Sequence, residues 1–476
     1  MTNPEQPVRV RFAPSPTGFL HIGGARTAIY NALFRERFGG ALVLRIEDTD
    51  QARSDSAMTR QIQDALGWLR VKWDEGPHLQ SDRRASHLER AHELVEAGSA
   101  YPCFLTSEEL ERKRKEAQER GESALRDLSG HLSKEDIARR LARGDSHVIR
   151  FRMPPGNTRF VDLIRGEMDV PPDALEDFIL VRSDGTPTYH LSVVCDDIDM
   201  AITHVIRGED HLSNTPKHIH LFAALGAEAP AFAHLPLMLG TDKKRLSKRT
   251  GATSVEEFRE QGILPEALFN YLALLSWSPA ADEEILSRLD MVPLFSLDDI
   301  GSSAAVFDPE KLAWVNAQYL STLPLRDILH HLHPFLDALG LADVDPERLE
   351  AAVDLHRTRP KNLKDLAESI RPYFEESLEY KDELSEGFKG DSDLPATLGG
   401  LKGRFAQVES WDAASIEAAL RSHAEDQGVK AGALIHPTRM ALTAAKAGPS
   451  LFEIVAAMGK QETLGHLNNF MTYLRS

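Results

Sequence analysis

The chain contains 476 residues, which at roughly 150 residues per domain corresponds to about three domains. Asp and Glu total 73 against 55 Lys and Arg, so the formal net charge is −18. This balance argues against a protein that coats nucleic acid or an anionic membrane through bulk charge, although a local basic surface on an acidic body is compatible with it.

Cysteine usage and hydropathy narrow the class of protein further. The two cysteines, Cys103 and Cys195, lie far apart, so no disulfide framework is predicted and a cytoplasmic setting is expected. The absence of a Cys-x-x-Cys pair disfavours a zinc site built on thiolates. The sequence begins without a signal-peptide pattern. No apolar run approaches the roughly 20 residues that cross a bilayer, so no membrane contact is predicted.

The N-terminal segment predicts a βαβ unit. A strand at Val8–Phe12 leads into a loop rich in proline and glycine, and a helix begins near His21, where apolar residues follow at helical spacing. Gly39 and Gly40 end this helix, and a second strand follows at 42–47. Such a unit is the building block of a parallel nucleotide-binding sheet.

The rest of the chain divides into a mixed region and a helical region. Residues 83–187 alternate charged helical stretches with short strands and read as an insertion, after which the βα pattern resumes at 189–195 and 203–207. A capped helix is predicted at 253 or 254, and the pattern is helical after about residue 320. The clearest later helices are predicted at 325–339, 346–355 and 412–425, and the least ordered stretch at 375–400.

The loop before the first helix has the composition of a phosphate-binding turn. Prolines fix its path, and Gly23 and Gly24 allow a flat ligand to approach the backbone closely. A helix N-terminus attracts phosphate, and His21 at that point can donate a hydrogen bond to a phosphate oxygen. The plainer alternative is a rigid loop that ends in a histidine, but the βαβ context favours phosphate binding.

A basic loop lies farther along the chain. Between Gly240 and Gly251 there are five basic residues and one acidic residue. Such a run is usually a solvated surface loop. The functional alternative is a mobile loop that closes on a triphosphate, because positioned cations stabilise the charge on a transferring phosphate.

Two further segments carry candidate residues. Residues 187–191 and 205–211 contain Tyr189 and Arg207, and their pattern also fits a buried strand and a surface turn. Residues 356–364, together with Arg371, carry five basic side chains. On pattern alone, this second segment fits a helix end with ordinary surface charge.

Together these motifs resemble those of bacterial glutamyl-tRNA synthetases, which are class I aminoacyl-tRNA synthetases. His-Ile-Gly-Gly at 21–24 resembles the HIGH signature of this family, and residues 45–50 are typical of its glutamate branch. Residues 245–249 resemble the KMSKS signature, with Arg245 in place of the usual lysine. The resemblance covers nearly the whole chain, because residues 428–452 contain segments similar to the C-terminal anticodon-binding domain.

The resemblance implies an α/β fold class, with a Rossmann-type parallel-sheet catalytic domain, an inserted α/β domain and an all-helical C-terminal anticodon-binding region. The implied boundaries are 1–82 and 188–238 for the halves of the catalytic domain, 83–187 for the inserted acceptor-binding domain, 239–320 for the stem-contact domain with the KMSKS-like loop, and 321–476 for the anticodon-binding domain.

The resemblance also implies roles for individual residues. His21 and Lys248 are the implied catalytic residues, and Arg359 falls where the family reads the anticodon. The implied ATP site consists of Thr17, His21, Gly23, Gly24, Asp210, Lys243, Arg245, Leu246, Ser247, Lys248 and Arg249. The implied glutamate site consists of Arg11, Ala13, Ser15, Glu47, Tyr189, His190 and Arg207.

The chemistry of glutamate agrees with this residue set. Its two carboxylates require cations, which guanidinium groups supply, and its ammonium group requires an anion such as Glu47. We favour Arg11 for the side-chain carboxylate and Arg207 for the α-carboxylate, an assignment that the sequence leaves open. Glutamine would be rejected because its neutral amide leaves buried positive charge unpaired.

The implied reaction attaches L-glutamate to the 3′ end of tRNA(Glu) in two steps through glutamyl-adenylate, and releases pyrophosphate and AMP. ATP and Mg²⁺ are implied, whereas a protein-bound zinc ion is not expected because Cys103 stands alone in the inserted domain. Some relatives also charge tRNA(Gln), and a monomer is the usual state of the family.

Two classes of alternative stay open at this point. One is a related enzyme that glutamylates a modified tRNA base or ligates glutamine, which the helical region 321–476 disfavours. The other is a non-catalytic tRNA-binding homologue, which the intact His21, Lys248, Arg11 and Glu47 disfavour.

Overall fold

The structure, a computed structural model, describes residues 7–49, 56–119, 125–244, 246, 253–279, 283–381 and 387–475. Internal packing divides the chain into two units. The first unit comprises Met1–Phe258 and Leu268–Asp308, and the second comprises Arg259–Ala267 and Pro309–Ser476.

The strands of the described residues all belong to the first unit. They are β1 (Val8–Phe12), β2 (Gly40–Ile46), β3 (Glu75–Leu79), β4 (Ala100–Cys103), β5 (Val148–Phe151), β6 (Thr158–Asp162), β7 (Gly166–Val170), β8 (Phe178–Val181), β9 (His204–Gly208), β10 (Ala231–Leu235), β11 (Met238–Leu239) and β12 (Ala305–Val306).

The helices of the first unit include Ile22–Phe38, Ser56–Trp68, Arg84–Glu96, Ser107–Glu119, Lys134–Ala142, Tyr189–Asp199, Thr215–Ala224 and Arg288–Leu294. The helices Val255–Glu260 and Pro265–Leu274 contain points at which the chain passes from one unit to the other.

The predicted βαβ unit is present at the N-terminus. β1 and β2 pair in parallel, with Val8 opposite Gly40, and the helix Ile22–Phe38 connects them. Gly40 has a φ of 122°, and a Cβ atom there would lie 1.8 Å from the carbonyl oxygen of Val8. Glycine is therefore required where the chain leaves the helix and enters the second strand.

Two sheets of the first unit contain the strands whose carboxyl ends surround the cavity described in the next section. β1, β2 and β3 form a parallel sheet, and a second sheet has the order β7-β6-β10-β9, in which β6, β10 and β9 are parallel. The Thr203 N–H donates to the Arg9 carbonyl oxygen at 2.9 Å, so the start of β9 lies beside β1. The inserted region contains a separate antiparallel sheet, β4-β5-β8.

The segment from residue 189 is a helix rather than a buried strand. Tyr189–Asp199 is helical, and Leu191, Val194 and Cys195 are fully buried at helical spacing. The spacing of these apolar residues at i, i+3 and i+4 places them on one helix face, which explains why the helical period prevails.

The second unit contains helices and no strand among its described residues. Its helices include Pro309–Thr322, Leu325–Ala338, Pro346–His356, Leu363–Ile370, Leu394–Gln407, Ala413–Asp426, Gly432–Thr443, Leu451–Met458 and Lys460–Arg475. The helices predicted at 325–339, 346–355 and 412–425 are confirmed to within a few residues.

The predicted cap at 253 or 254 is confirmed. The Ser254 N–H donates to Glu257 Oε2 at 2.9 Å, and the Glu257 N–H donates to Ser254 Oγ at 3.3 Å, which is the reciprocal pattern of a capping box.

The prediction of a poorly ordered stretch at 375–400 is wrong for its last part. The helix Leu394–Gln407 begins inside that stretch and buries Leu394, Leu398, Leu401 and Phe405. These apolar residues recur at helical spacing, and their burial outweighs the cost of several glycines. Residues 382–386 lie outside the described residues.

Leu398 provides a test of this packing. Its side chain is 0 % exposed, so Leu398→Ala should lower the free energy of unfolding of the second unit by about 2–5 kcal/mol through lost apolar burial and a residual cavity. Urea denaturation followed by circular dichroism measures this change. Gln407→Ala, at the exposed end of the same helix, should change it by less than about 0.5 kcal/mol, and equal effects of the two substitutions would contradict the assigned packing.

Candidate active site

A cavity of about 520 Å³ opens where β1, β2, β9 and β10 end. The carboxyl ends of parallel strands are the usual place for a ligand in such sheets. The cavity brings together these predicted residues: Arg11, Ala13, Ser15, Thr17, His21, Gly23, Gly24, Glu47, Tyr189, Arg207, Asp210 and Leu246.

Two described residues of the predicted set lie elsewhere. Lys243 occupies an exposed turn in which its N–H donates to the Gly240 carbonyl oxygen. His190 Nδ1 lies 3.2 Å from His218 Nε2, and its ring packs on Phe178. Successive helical side chains diverge by about 100°, so a helix that directs Tyr189 to the cavity directs His190 away from it. Arg245, Ser247, Lys248 and Arg249 lie outside the described residues.

His21 is the N-cap of the helix Ile22–Phe38. Its Nδ1 accepts a hydrogen bond from the Gly23 N–H at 3.0 Å, so the ring proton resides on Nε2. Burial lowers the pKa of His21, which favours the neutral ring. The side chain can therefore donate one hydrogen bond into the cavity. A Cβ atom on residue 23 would lie 3.3 Å from Nδ1, which makes glycine favourable there.

One described residue of the basic loop reaches the cavity, and the chain just after the loop is bonded to the segment Leu20–Ile22. Leu246 lines the cavity. The Ile22 N–H donates to the Thr253 carbonyl oxygen at 2.9 Å, and the Val255 N–H donates to the Leu20 carbonyl oxygen at 2.9 Å. The chain that follows the basic segment is thus fixed to the loop that carries His21.

Arg207 is a buried cation in the wall of the cavity. It is 5 % exposed, and burial lowers its pKa. Its guanidinium donates to neutral groups only: His234 Nε2 at 3.1 Å, Tyr189 Oη at 3.3 Å, the His211 carbonyl oxygen at 3.2 Å and Thr215 Oγ1 at 2.8 Å. No carboxylate of the described residues forms an ion pair with it. The cavity therefore offers an anion a buried, unneutralised partner.

Other buried charges lie beside the same cavity. Arg45 is 0 % exposed, donates to Asp197 Oδ1 at 2.7 Å and approaches Glu47 Oε1 at 3.5 Å. Arg11 Nε lies 3.4 Å from the same Asp197 oxygen and has no hydrogen-bond partner among the described residues. Burial raises the pKa of Glu47, and Arg45 and Arg11 oppose that rise. An ammonium group bound at Glu47 would favour its ionised form.

Sequence reasoning missed the supporting half of this network. No motif in the sequence marks Asp197, which joins Arg11 to Arg45, and Arg45 stands out only as part of a family motif. Asp196 accepts from Gln80, Arg83 and His87 while fully buried. The available signal was the charge itself, because an arginine inside the run Leu42–Ile46 and two aspartates on a buried helix require partners.

The C-terminal basic region has mixed roles. Arg357 donates to the Leu323 carbonyl oxygen, and Arg371 pairs with Glu368 and Glu375, so these two arginines support the helical unit. Arg359 is exposed and forms no ion pair with a described residue.

Neither a metal cluster nor a membrane helix is found in the described part of the chain. No three His, Cys, Asp or Glu side chains there are grouped as metal ligands are. None of the helices that could be searched is long and apolar enough for a bilayer span. The predicted absence of zinc stays a prediction.

Comparison with known proteins decides the family. Residues 7–314 match the family described as tRNA synthetases class I (E and Q), catalytic domain, and residues 327–471 match an anticodon binding domain. The chain is 45 % identical to glutamate–tRNA ligase 2 of Koribacter versatilis over 97 % of each chain. It is 42 % identical to the glutamate–tRNA ligase of Syntrophobacter fumaroxidans, over 98 % of this chain and 99 % of that relative.

The chain belongs to the glutamate–tRNA ligases. A solved structure of a glutamate tRNA ligase from Elizabethkingia meningosepticum, in complex with its amino acid, superposes with a TM-score of 0.88 at 33 % identity and covers 98 % of this chain and 100 % of that chain. Like other class I synthetases of this family, these ligases are enzymes that use ATP. The helical C-terminal region, which matches an anticodon binding domain, agrees with this family.

Arg45 tests the buried charge network of this ligase. Arg45→Met should destabilise the first unit by about 3–5 kcal/mol, because Asp197 and Glu47 would remain buried without their main cation. Thermal unfolding of the variant and wild type gives this difference. Arg83→Met is the matched control. Arg83 contacts the neighbouring buried carboxylate of Asp196 but is 31 % exposed, so its loss should destabilise the first unit much less. A loss for Arg45→Met no larger than that of the control would contradict the assignment.

Proposed function

We propose that the chain joins L-glutamate to tRNA(Glu) in two steps, through glutamyl-adenylate. The observation that carries this proposal is the buried, unneutralised guanidinium of Arg207, which lies in the same cavity as the His21 end of the first helix. One part of the cavity suits a carboxylate, and the other part suits a phosphate.

In the first step, a glutamate α-carboxylate oxygen attacks the α-phosphorus of ATP. A bond forms between that oxygen and phosphorus, the bond to the bridging oxygen breaks, and pyrophosphate leaves. His21 Nε2–H donates to a phosphate oxygen during this displacement, and its Nδ1 bond to Gly23 holds the ring in position.

In the second step, the 2′ hydroxyl of the terminal adenosine of tRNA attacks the glutamyl carbonyl carbon. The ester bond forms, the bond to the adenylate oxygen breaks, AMP leaves with its electron pair, and the hydroxyl proton passes to the leaving phosphate or to water. We assign no covalent nucleophile of the chain to either step, because the adenylate already activates the acyl group.

The glutamate site follows from the sign of the buried charges. Arg207 and Arg11 each take one carboxylate, with Arg207 favoured for the α-carboxylate, and Glu47 takes the ammonium group. Tyr189 donates its hydroxyl within this site, and burial with the nearby Glu47 raises its pKa to about 12, so it stays protonated.

The nucleotide site is completed by the basic segment. We assign Lys248 and its neighbours, which lie outside the described residues, to the triphosphate, because Leu246 of the same segment lines the cavity. Mg²⁺ enters with the triphosphate, whose oxygens are the ligands that this ion prefers, and supplies further positive charge.

The remaining assignments concern tRNA and assembly. The regions 83–187 and 239–320 contact the acceptor end and stem, and the helical region from 321 reads the anticodon through Arg359. We propose that the enzyme acts as a monomer. Aminoacylation of both tRNAs distinguishes an enzyme that charges tRNA(Glu) alone from one that also charges tRNA(Gln).

The first test is aminoacylation of tRNA(Glu) and tRNA(Gln) by the full chain, together with glutamate-dependent exchange of pyrophosphate into ATP in the presence of tRNA. Charging of tRNA(Glu) is expected, and Lys248→Ala should reduce exchange on the order of 10²–10³-fold through loss of positioned positive charge. Exchange at the wild-type rate in Lys248→Ala would overturn its role, and no charging of either tRNA would overturn the function.

The second test concerns the amino-acid site. Arg207→Met should raise KM for glutamate on the order of a hundredfold, because one carboxylate loses its buried cation, and leave KM for ATP within about twofold. Steady-state exchange kinetics measure both constants. Arg9→Met is the control, since Arg9 pairs with Glu75 and does not line the cavity. An unchanged KM for glutamate in Arg207→Met would contradict the assignment.

A further inference from the structure

Three buried polar side chains lie side by side on three parallel strands beneath the cavity. Arg207 of β9 is directly opposite His234 of β10, and β10 is paired with β6, where Asp162 is opposite Phe232. His234 is 0 % exposed and Asp162 is 1 % exposed. Neither of these two residues lines the cavity.

These side chains form a directed series of hydrogen bonds. Asp162 Oδ2 lies 2.5 Å from His234 Nδ1, and His234 Nε2 accepts from Arg207 Nε–H at 3.1 Å. An ionised carboxylate only accepts hydrogen bonds, so the His234 proton must be on Nδ1, and Nε2 must then be the acceptor. Burial lowers the pKa of His234. The hydrogen bond to Asp162 opposes this shift, and the charge of Arg207 adds to it, so the lowered pKa agrees with a neutral ring.

Thr215 and Phe232 complete the support of the guanidinium. Thr215 Oγ1 accepts from Arg207 Nη2 at 2.8 Å and lies 3.0 Å from His234 Nε2. The Arg207 guanidinium carbon lies 5.7 Å from the centre of the Phe232 ring, which itself stacks on His234. The Nε side of Arg207 is therefore fixed by the sheet, while Nη1 is directed to Tyr189 of the cavity.

We propose that Asp162 and His234 are positioning residues for glutamate recognition. Asp162 fixes the tautomer of His234, and His234 fixes the orientation of the Arg207 guanidinium. The N–H donor of Arg207 that is not already bonded within the protein then meets a substrate carboxylate without rotation of the side chain. This inference rests on the proposed role of Arg207 and adds to it two residues that do not touch substrate. Pre-organisation of this kind lowers the cost of binding.

The series of hydrogen bonds from Asp162 through His234 to Arg207, called the relay below, can be tested with an isosteric substitution of Asp162, because backbone N–H groups fix one of its carboxylate oxygens. Asp162 Oδ1 lies 3.1 Å from the Ile164 N–H nitrogen, 3.0 Å from that of Arg165 and 3.3 Å from that of His234. In Asp162→Asn these donors hold the amide oxygen at the Oδ1 position, and the NH₂ group then faces His234 Nδ1. The ring must move its proton to Nε2, where it opposes Arg207 Nε–H. The shape is kept and the direction of the relay is reversed.

The experiment measures KM for glutamate and for ATP, and the melting temperature, in Asp162→Asn, His234→Leu, Arg207→Met and the control His204→Leu. His204 is a buried histidine of the same strand as Arg207 that packs on Phe34, outside the cavity. Asp162→Asn and His234→Leu should raise KM for glutamate by about tenfold and leave KM for ATP unchanged. His204→Leu should lower the melting temperature without this selective change.

The outcomes distinguish failure of the positioning role of Asp162 and His234 from failure of the proposed role of Arg207. If Arg207→Met raises KM for glutamate but Asp162→Asn and His234→Leu change it no more than His204→Leu does, the positioning role is overturned and the proposed function stands. If Arg207→Met itself leaves KM for glutamate unchanged, the proposed function of Arg207 fails, and this inference fails with it.

Discussion

The structure of the site depends on one constraint, which is that the guanidinium of Arg207 is buried without a carboxylate partner among the described residues. Arg45, which is also buried, is neutralised by Asp197 and Glu47, and its pKa is raised by these carboxylates although burial alone would lower it. Arg207 has neutral hydrogen-bond partners only. In the proposed function, an anionic substrate offsets the cost of burying Arg207, whereas the charge of Arg45 is already neutralised within the protein.

The signs of the buried charges match the two carboxylates and the ammonium group of glutamate. Cations at Arg11 and Arg207 suit carboxylates, and Glu47 presents the opposite sign for an ammonium group. Glutamine would leave one buried cation unneutralised, which a merely apolar pocket would not penalise as strongly. In the proposed reaction, His21 at the helix N-terminus contacts the nucleotide, and the same cavity holds both substrates of the first step.

The sequence predicts the local parts of this account well. The βαβ unit follows from apolar spacing and from Gly39 and Gly40, and the helical C-terminal unit follows from its 3.6-residue period. The relay beneath Arg207 could not be predicted, because Asp162 and His234 are 72 residues apart and meet only through strand register. The sequence predicts His190 beside Tyr189 in the glutamate site, but one helical step of about 100° separates the two side chains, and His190 lies against His218 and Phe178.

The most direct test of the central claim is a crystal structure of the full chain grown with L-glutamate. The account predicts one glutamate carboxylate within hydrogen-bond distance of Arg207 and the ammonium group beside Glu47, with Asp162, His234 and Arg207 in the arrangement described above. A glutamate bound in the cavity with neither carboxylate in contact with Arg207 would contradict it.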